Sequence, residues 1–242
     1  MNQSILVEKK PEIIYPDSDG KPMSDNTKQF RYIVIIKENL ELLFADNPNV
    51  FIAGDLLWYP VEGDNTIRQA PDVMVVFDRP KGDRGSYQQW KENNVTPSVA
   101  FEILSPGNTL KEMAKKLAFY EKYGIEEYYI YNPDRNDLNG YLRQDNQLVI
   151  IEEMLGFISP LLKIKFELNL EGLQIYDAQG NRFLTYVELS EKIKDTERQL
   201  KREKQRAEQE RLKAEQEKQR ADEAQIRVKL LEEKLKELGI EL

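Results

Sequence analysis

The chain has 242 residues, no histidine, no cysteine and a formal net charge of −8. That inventory excludes a Ser-His-Asp triad, a cysteine nucleophile, a histidine general base and an ordinary nitrogen-and-sulfur zinc site. Oxygen chemistry remains open: carboxylates that hold a hard divalent cation, and a lysine that steers water.

The first residues, Met1-Asn2-Gln3-Ser4, lack the basic segment and apolar stretch of a signal peptide, and no apolar run anywhere reaches ~18–20 residues. The expectation is a soluble, cytoplasmic protein with no membrane partner. Turn signals at Tyr15-Pro16-Asp17 and Asp19-Gly20-Lys21-Pro22 make 1–26 an arm. Asp25 or Asn26 then caps a helix from Thr27 to about Ala45, on whose repeat Phe30, Ile33, Val34, Leu40, Leu43 and Phe44 fall. Short apolar runs at Val50–Tyr59 and Val73–Phe77 read as strands, and the polar stretch Arg79–Pro97 as a loop long enough to be functional. Tyr87 and Trp90 in that loop are where substrate contacts would be sought.

Val99–Leu104 reads as a buried strand, and the turn Ser105–Thr109 leads into a helix over Leu110–Tyr123 with Leu110, Met113, Leu117 and Tyr120 as its apolar positions. Gly124 supplies the C-cap. Tyr128–Tyr131 forms a further strand, Gly140–Arg143 and Leu148–Glu152 a hairpin-like pair, and Leu173–Tyr176 one more strand. This order predicts an α/β fold: a mixed β-sheet core flanked by helices.

The composition shifts near Val187, after which Gly, Pro and aromatics almost vanish. Residues 1–186 hold 20 Lys and Arg against 28 Asp and Glu, whereas 187–242 hold 15 of each. The expected division is therefore a folded domain over 27–186 and a long charged C-terminal helix or coiled coil over 187–242. Leu200, Ala207, Ala214, Ala221, Val228, Leu235 and Leu242 recur every seven residues; Leu231 and Leu238 fill the second apolar position, while Glu203, Glu210 and Glu217 occupy it in the middle. Such a seam fits a coiled coil held at its ends, giving a homodimer, or a single charged helix.

Two carboxylates carry the chemistry. Asp72 opens one apolar run and Glu102 lies inside another, where an unpaired charge would cost several kcal/mol. A shared cation resolves the conflict and creates a Mg²⁺ or Mn²⁺ site, with the Ile103 carbonyl as a third ligand. Lys116 orients the attacking water if its helix crosses the end of the Glu102 strand. The bland readings stand beside these: Pro71-Asp72 as an ordinary turn, Glu102 paired with a structural Lys or Arg, and Lys116 as a solvated helix residue. Asp55 is expected in structural pairing more than as a supporting acid, and Glu38 on a solvated face.

Through Asp19–Met23, Ala70-Pro71-Asp72-Val73, Phe101–Pro106, Lys116–Tyr120 and Gly124–Tyr129, the sequence resembles the Uma-type family of restriction endonucleases, in the PD-(D/E)xK nuclease superfamily. The resemblance covers approximately residues 11–180. It implies a restriction-endonuclease-like core and metal-dependent cleavage of DNA phosphodiester bonds, with Asp72 and Glu102 as the motif acids. Leu104 stands where E-x-K has its lysine, which the resemblance moves to Lys116 on the next helix, with Lys115 as its neighbour. The alternative class is a non-catalytic interaction or scaffold protein that keeps the nuclease-like core and works through its helical tail.

Overall fold

A computed structural model describes residues 13–20 and 24–237. The Lys21-Pro22-Met23 part of the resemblance, the heptad positions Leu238 and Leu242, the side chain of Leu235 and the opening of the arm lie outside the described residues. The chain separates into two units, one ending at Leu184 and one beginning at Thr185.

Helix α1 (Thr27–Leu43) starts where Asn26 accepts the Gln29 N–H on its side chain, satisfying one of the donors a helix start leaves free. Its buried stripe is Gln29, Tyr32, Ile33, Ile36 and Leu40, a spacing of three and four that keeps one face inward. Phe30 and Val34, expected in that stripe, are 45% and 38% exposed; they sit one position out of phase with it.

Strands β1 (Val50–Gly54), β2 (Trp58–Tyr59), β3 (Val73–Phe77), β4 (Tyr87–Gln88) and β5 (Val99–Ile103) follow. Then come α2 (Leu110–Tyr123), β6 (Glu127–Asn132), β7 (Asp137–Gln144), β8 (Gln147–Ile150), β9 (Lys165–Asn169) and β10 (Gly172–Tyr176). The single strand expected over Val50–Tyr59 is broken at Asp55, whose φ of 48° leaves the extended region and turns the chain away from the sheet. Thr109 caps α2 by accepting the Glu112 N–H, and Gly124 ends it in the left-handed region at φ 92°, where a Cβ is disfavoured.

The main sheet runs β1-β3-β5-β6-β7-β8. Its pairs are antiparallel except β5 with β6, the pair that α2 connects as a crossover. Successive side chains of a strand face opposite ways, and both faces are apolar here. Val73, Val75, Val99, Phe101, Tyr129 and Tyr131 join the α1 residues in one cluster. Met74, Val76, Ala100, Tyr128 and Trp58 join Tyr120 of α2 in the other. The sheet is thus covered on both faces, as a mixed sheet with a parallel centre requires. Leu110, expected in the apolar face of α2, is 91% exposed because it is the first residue of the helix and precedes the turn that packs.

The loop after β3 folds on itself. Arg84 donates to Glu92 at 2.7 Å and lies over the Phe51 ring at 3.9 Å, and Tyr87 is fully buried with its hydroxyl on the Val95 carbonyl. Arg84 and Tyr87 are therefore engaged within the fold, and Tyr87 offers no exposed surface for the substrate contacts sought in this loop.

In the second unit, helix α3 (Tyr186–Glu237) spans 52 residues, about 78 Å at the helical rise. It begins on a reciprocal cap: Thr185 Oγ1 accepts the Glu188 N–H at 3.2 Å and the Glu188 carboxylate accepts the Thr185 N–H at 2.8 Å. Arg198 with Asp195 and Arg211 with Glu208 pair one turn apart along its surface. Ile193, Leu200, Val228 and Leu231 of the expected seam are each at least half exposed.

Candidate active site

The register of the sheet brings the two acids together. Val73 lies opposite Phe101 and Met74 opposite Ala100 in the antiparallel pairing of β3 with β5. One step further along the same register sets Asp72 opposite Glu102, on the face that carries Met74 and Ala100. Directly opposed residues have Cβ atoms about 4.5–5.5 Å apart, a distance at which like charges repel. Asp55 extends the row on the other side, since Gly54 pairs with Val73 and the Asp55 N–H donates to the Asp72 carbonyl at 3.2 Å.

Asp72 is 8% exposed, and its Oδ2 accepts the Ile103 N–H at 2.6 Å. Burial, followed by the Glu102 charge, pushes its pKa up to about 8, against the opposing pull of that N–H and of Lys116. Its second oxygen accepts no hydrogen bond from the described residues.

Glu102 is 2% exposed and has both oxygens engaged from α2: Lys116 Nζ donates to Oε2 at 2.7 Å, and the Tyr120 hydroxyl to Oε1 at 2.5 Å. Burial raises its pKa, and the Lys116 charge and both hydrogen bonds oppose that shift. Burial acts most strongly against the Lys116 ammonium too, yet the charge and hydrogen bond of Glu102, with the charges of Asp72 and Glu112, together raise the lysine, which stays charged. Lys115, the alternative lysine, points to the exposed side of the helix.

Asp55 is half-buried, and among the described residues its carboxylate has no hydrogen bond or ion pair, so the structural pairing expected for it is not there. Burial first, then Asp19 and Glu102, raise its pKa to about 6. Glu38 lies on the solvated face as expected, 3.0 Å from Lys37.

The Ile103 carbonyl accepts Gln29 Nε2 at 2.8 Å, while Gln29 Oε1 accepts the Asp25 N–H at 2.8 Å. A carbonyl has two lone pairs, so one remains. Asp72 and Asp55 open with Lys116 onto a cleft of about 130 Å³, next to a wider one of about 390 Å³ to which Arg68 and Lys115 add positive charge. Among the described residues no three acidic side chains converge on one point. Asp72 and Asp55 line the smaller cleft together, and their carboxylates, like the second lone pair of the Ile103 carbonyl, are oxygen donors of the kind that suits a hard cation.

Sequence reasoning missed Tyr120 and Gln29 as site residues. Tyr120 reads as core because it falls in the apolar stripe of α2; its spacing of four from Lys116, which puts both on one face, was the available signal.

The Uma2 family, described as "Putative restriction endonuclease", matches residues 20–171. No curated protein matches the chain. Among solved structures, a "putative nuclease belonging to DUF820 from Anabaena variabilis" is similar at 16% identity, over 60% of this chain and 79% of that one. Its TM-score is 0.43.

Proposed function

Because the chain belongs to the Uma2 family of restriction endonucleases, we propose that it is a divalent-metal-dependent endonuclease acting on DNA in the cytoplasm. The observation that carries this reading is the cross-strand pair of buried acids with a lysine 2.7 Å from one of them. Asp72, Glu102 and the Ile103 carbonyl are the groups assigned to hold Mg²⁺ or Mn²⁺. A cation held there would supply Lewis-acid stabilisation of the charge on the phosphate and make water a better nucleophile.

The protein's own groups have distinct tasks. Asp72 would release to solvent, as a cation binds, the proton that burial favours, and supply its free oxygen. Lys116 has three donors, of which Glu102 uses one, and directs another at the attacking water or a phosphate oxygen. Arg68 and Lys115 in the adjoining cleft offer charge to the phosphate backbone.

Plasmid nicking in Mg²⁺ or Mn²⁺ tests the reading. Asp72→Ala and Glu102→Ala are expected to lose cleavage by at least about a hundredfold, in the range typical when a group acting on the developing charge is removed. Cleavage by both variants at the wild-type rate would refute the assignment.

For the tail, we propose self-association through α3, carried by its exposed apolar positions, which would bring together the two active sites that double-strand cleavage needs. Light scattering of the full chain is expected to give twice the chain mass, and a chain ending at Tyr186 the mass of one. A monomeric full chain would remove the dimer and leave α3 as a solvated extension.

A further inference from the structure

The geometry points to Tyr120 as a positioning residue: its hydroxyl fixes the Glu102 carboxylate through Oε1 and so presents Oε2 to Lys116, which lines the cleft. This rests on the reading of Glu102 as a cation ligand.

The two donors on Glu102 differ in kind. Lys116 is a charged group on a flexible stem at the edge of the cleft, able to move its ammonium from Oε2 to a substrate oxygen. Tyr120 is neutral, wholly buried and locked by its neighbours. Its ring lies parallel to Trp58 at 6.5 Å and edge-on to Tyr128 at 4.8 Å, so the hydroxyl has little freedom to leave Oε1.

A neutral donor does what a second cation could not. It satisfies the inner oxygen of a buried carboxylate without competing with metal for its charge, and it sets the side-chain rotamer that aims the outer oxygen. Groups that orient a ligand in this way typically change metal affinity by about 10–100-fold when removed.

Tyr128 is the natural control. It is equally buried and packs against Tyr120, but its hydroxyl finds no partner among the described residues.

The test uses the full chain, with Ca²⁺ binding followed by calorimetry and plasmid nicking followed against Mn²⁺ concentration. Tyr120→Phe keeps the ring and its stacking; it is expected to weaken Ca²⁺ binding by about 10–100-fold and to raise the half-saturating Mn²⁺ by a similar factor. Its nicking rate at saturating Mn²⁺ should return towards the wild-type value, and Tyr128→Phe should leave both quantities unchanged. The inference is overturned if Tyr120→Phe binds Ca²⁺ like the wild type while Glu102→Ala has lost binding, or if Tyr128→Phe weakens binding equally. Normal Ca²⁺ binding by Glu102→Ala overturns it together with the underlying ligand assignment.

Discussion

Asp72→Asn is expected to unfold at higher urea than the wild type at pH 8 in the presence of a chelator. The native carboxyl has a pKa of about 8 against 3.8 for the exposed group, chiefly because burial disfavours its charge. Between those values the native state holds more protons than the unfolded one, so stability falls as pH rises from about 4 to about 8. Each unit of raised pKa corresponds to about 1.4 kcal/mol, which makes the loss in the alkaline range a few kcal/mol. An asparagine keeps the shape, can still accept the Ile103 N–H and carries no charge to bury. Unfolding curves of the two proteins should converge near pH 4 and separate progressively to pH 9. Added Mg²⁺ should stabilise the wild type and leave Asp72→Asn where it was, since a ligand that binds only the native state raises its stability. A variant less stable than the wild type at pH 8 would mean that the aspartate is held by favourable contacts and is no reserve of unsatisfied charge.

The second large effect concerns the buried ion pair. Lys116→Met is expected to destabilise the fold by about 3–5 kcal/mol at pH 8, because it leaves Glu102 without its positive partner at 2% exposure. The same substitution in a Glu102→Gln background should cost far less, since a neutral amide needs no counter-charge. Urea unfolding of the four proteins gives the coupling directly, and groups in such contact couple by about 0.5–3 kcal/mol. The cost of Lys116→Met should also fade in acid, as Glu102, its pKa already raised by burial, takes up a proton. Equal destabilisation in both backgrounds would show that the lysine acts through packing of its stem and has no electrostatic tie to the glutamate.

Much of this arrangement was legible in the sequence. The β3 strand and α2 match their expected bounds because Asp, Pro and Gly mark their ends, and Gly124 and Thr109 are unambiguous caps. A glutamate inside an apolar strand demanded a partner, and the structure supplies it in Lys116 of the following helix. Other features escaped for physical reasons. The break at Asp55 lies in the backbone torsion of one residue, and apolar content on either side conceals it. Strand β9 reads Lys-Phe-Glu-Leu-Asn, an alternation too short to separate from loop until β10 pairs with it. The α1 stripe was mis-phased because Phe30 and Val34 are as apolar as the residues that pack. Cross-strand opposition of Asp72 and Glu102 depends on register, which turn lengths and the whole sheet decide, so the expectation that the two acids share one cation had burial behind it but no register.

Gln29 ties two distant stretches with one amide: the backbone just before α1 on its oxygen, the last residue of β5 on its nitrogen. A change of backbone at Asp25 therefore acts on the same amide that steadies the carbonyl at position 103, so the start of α1 and the end of β5 answer to each other without passing through the intervening strands.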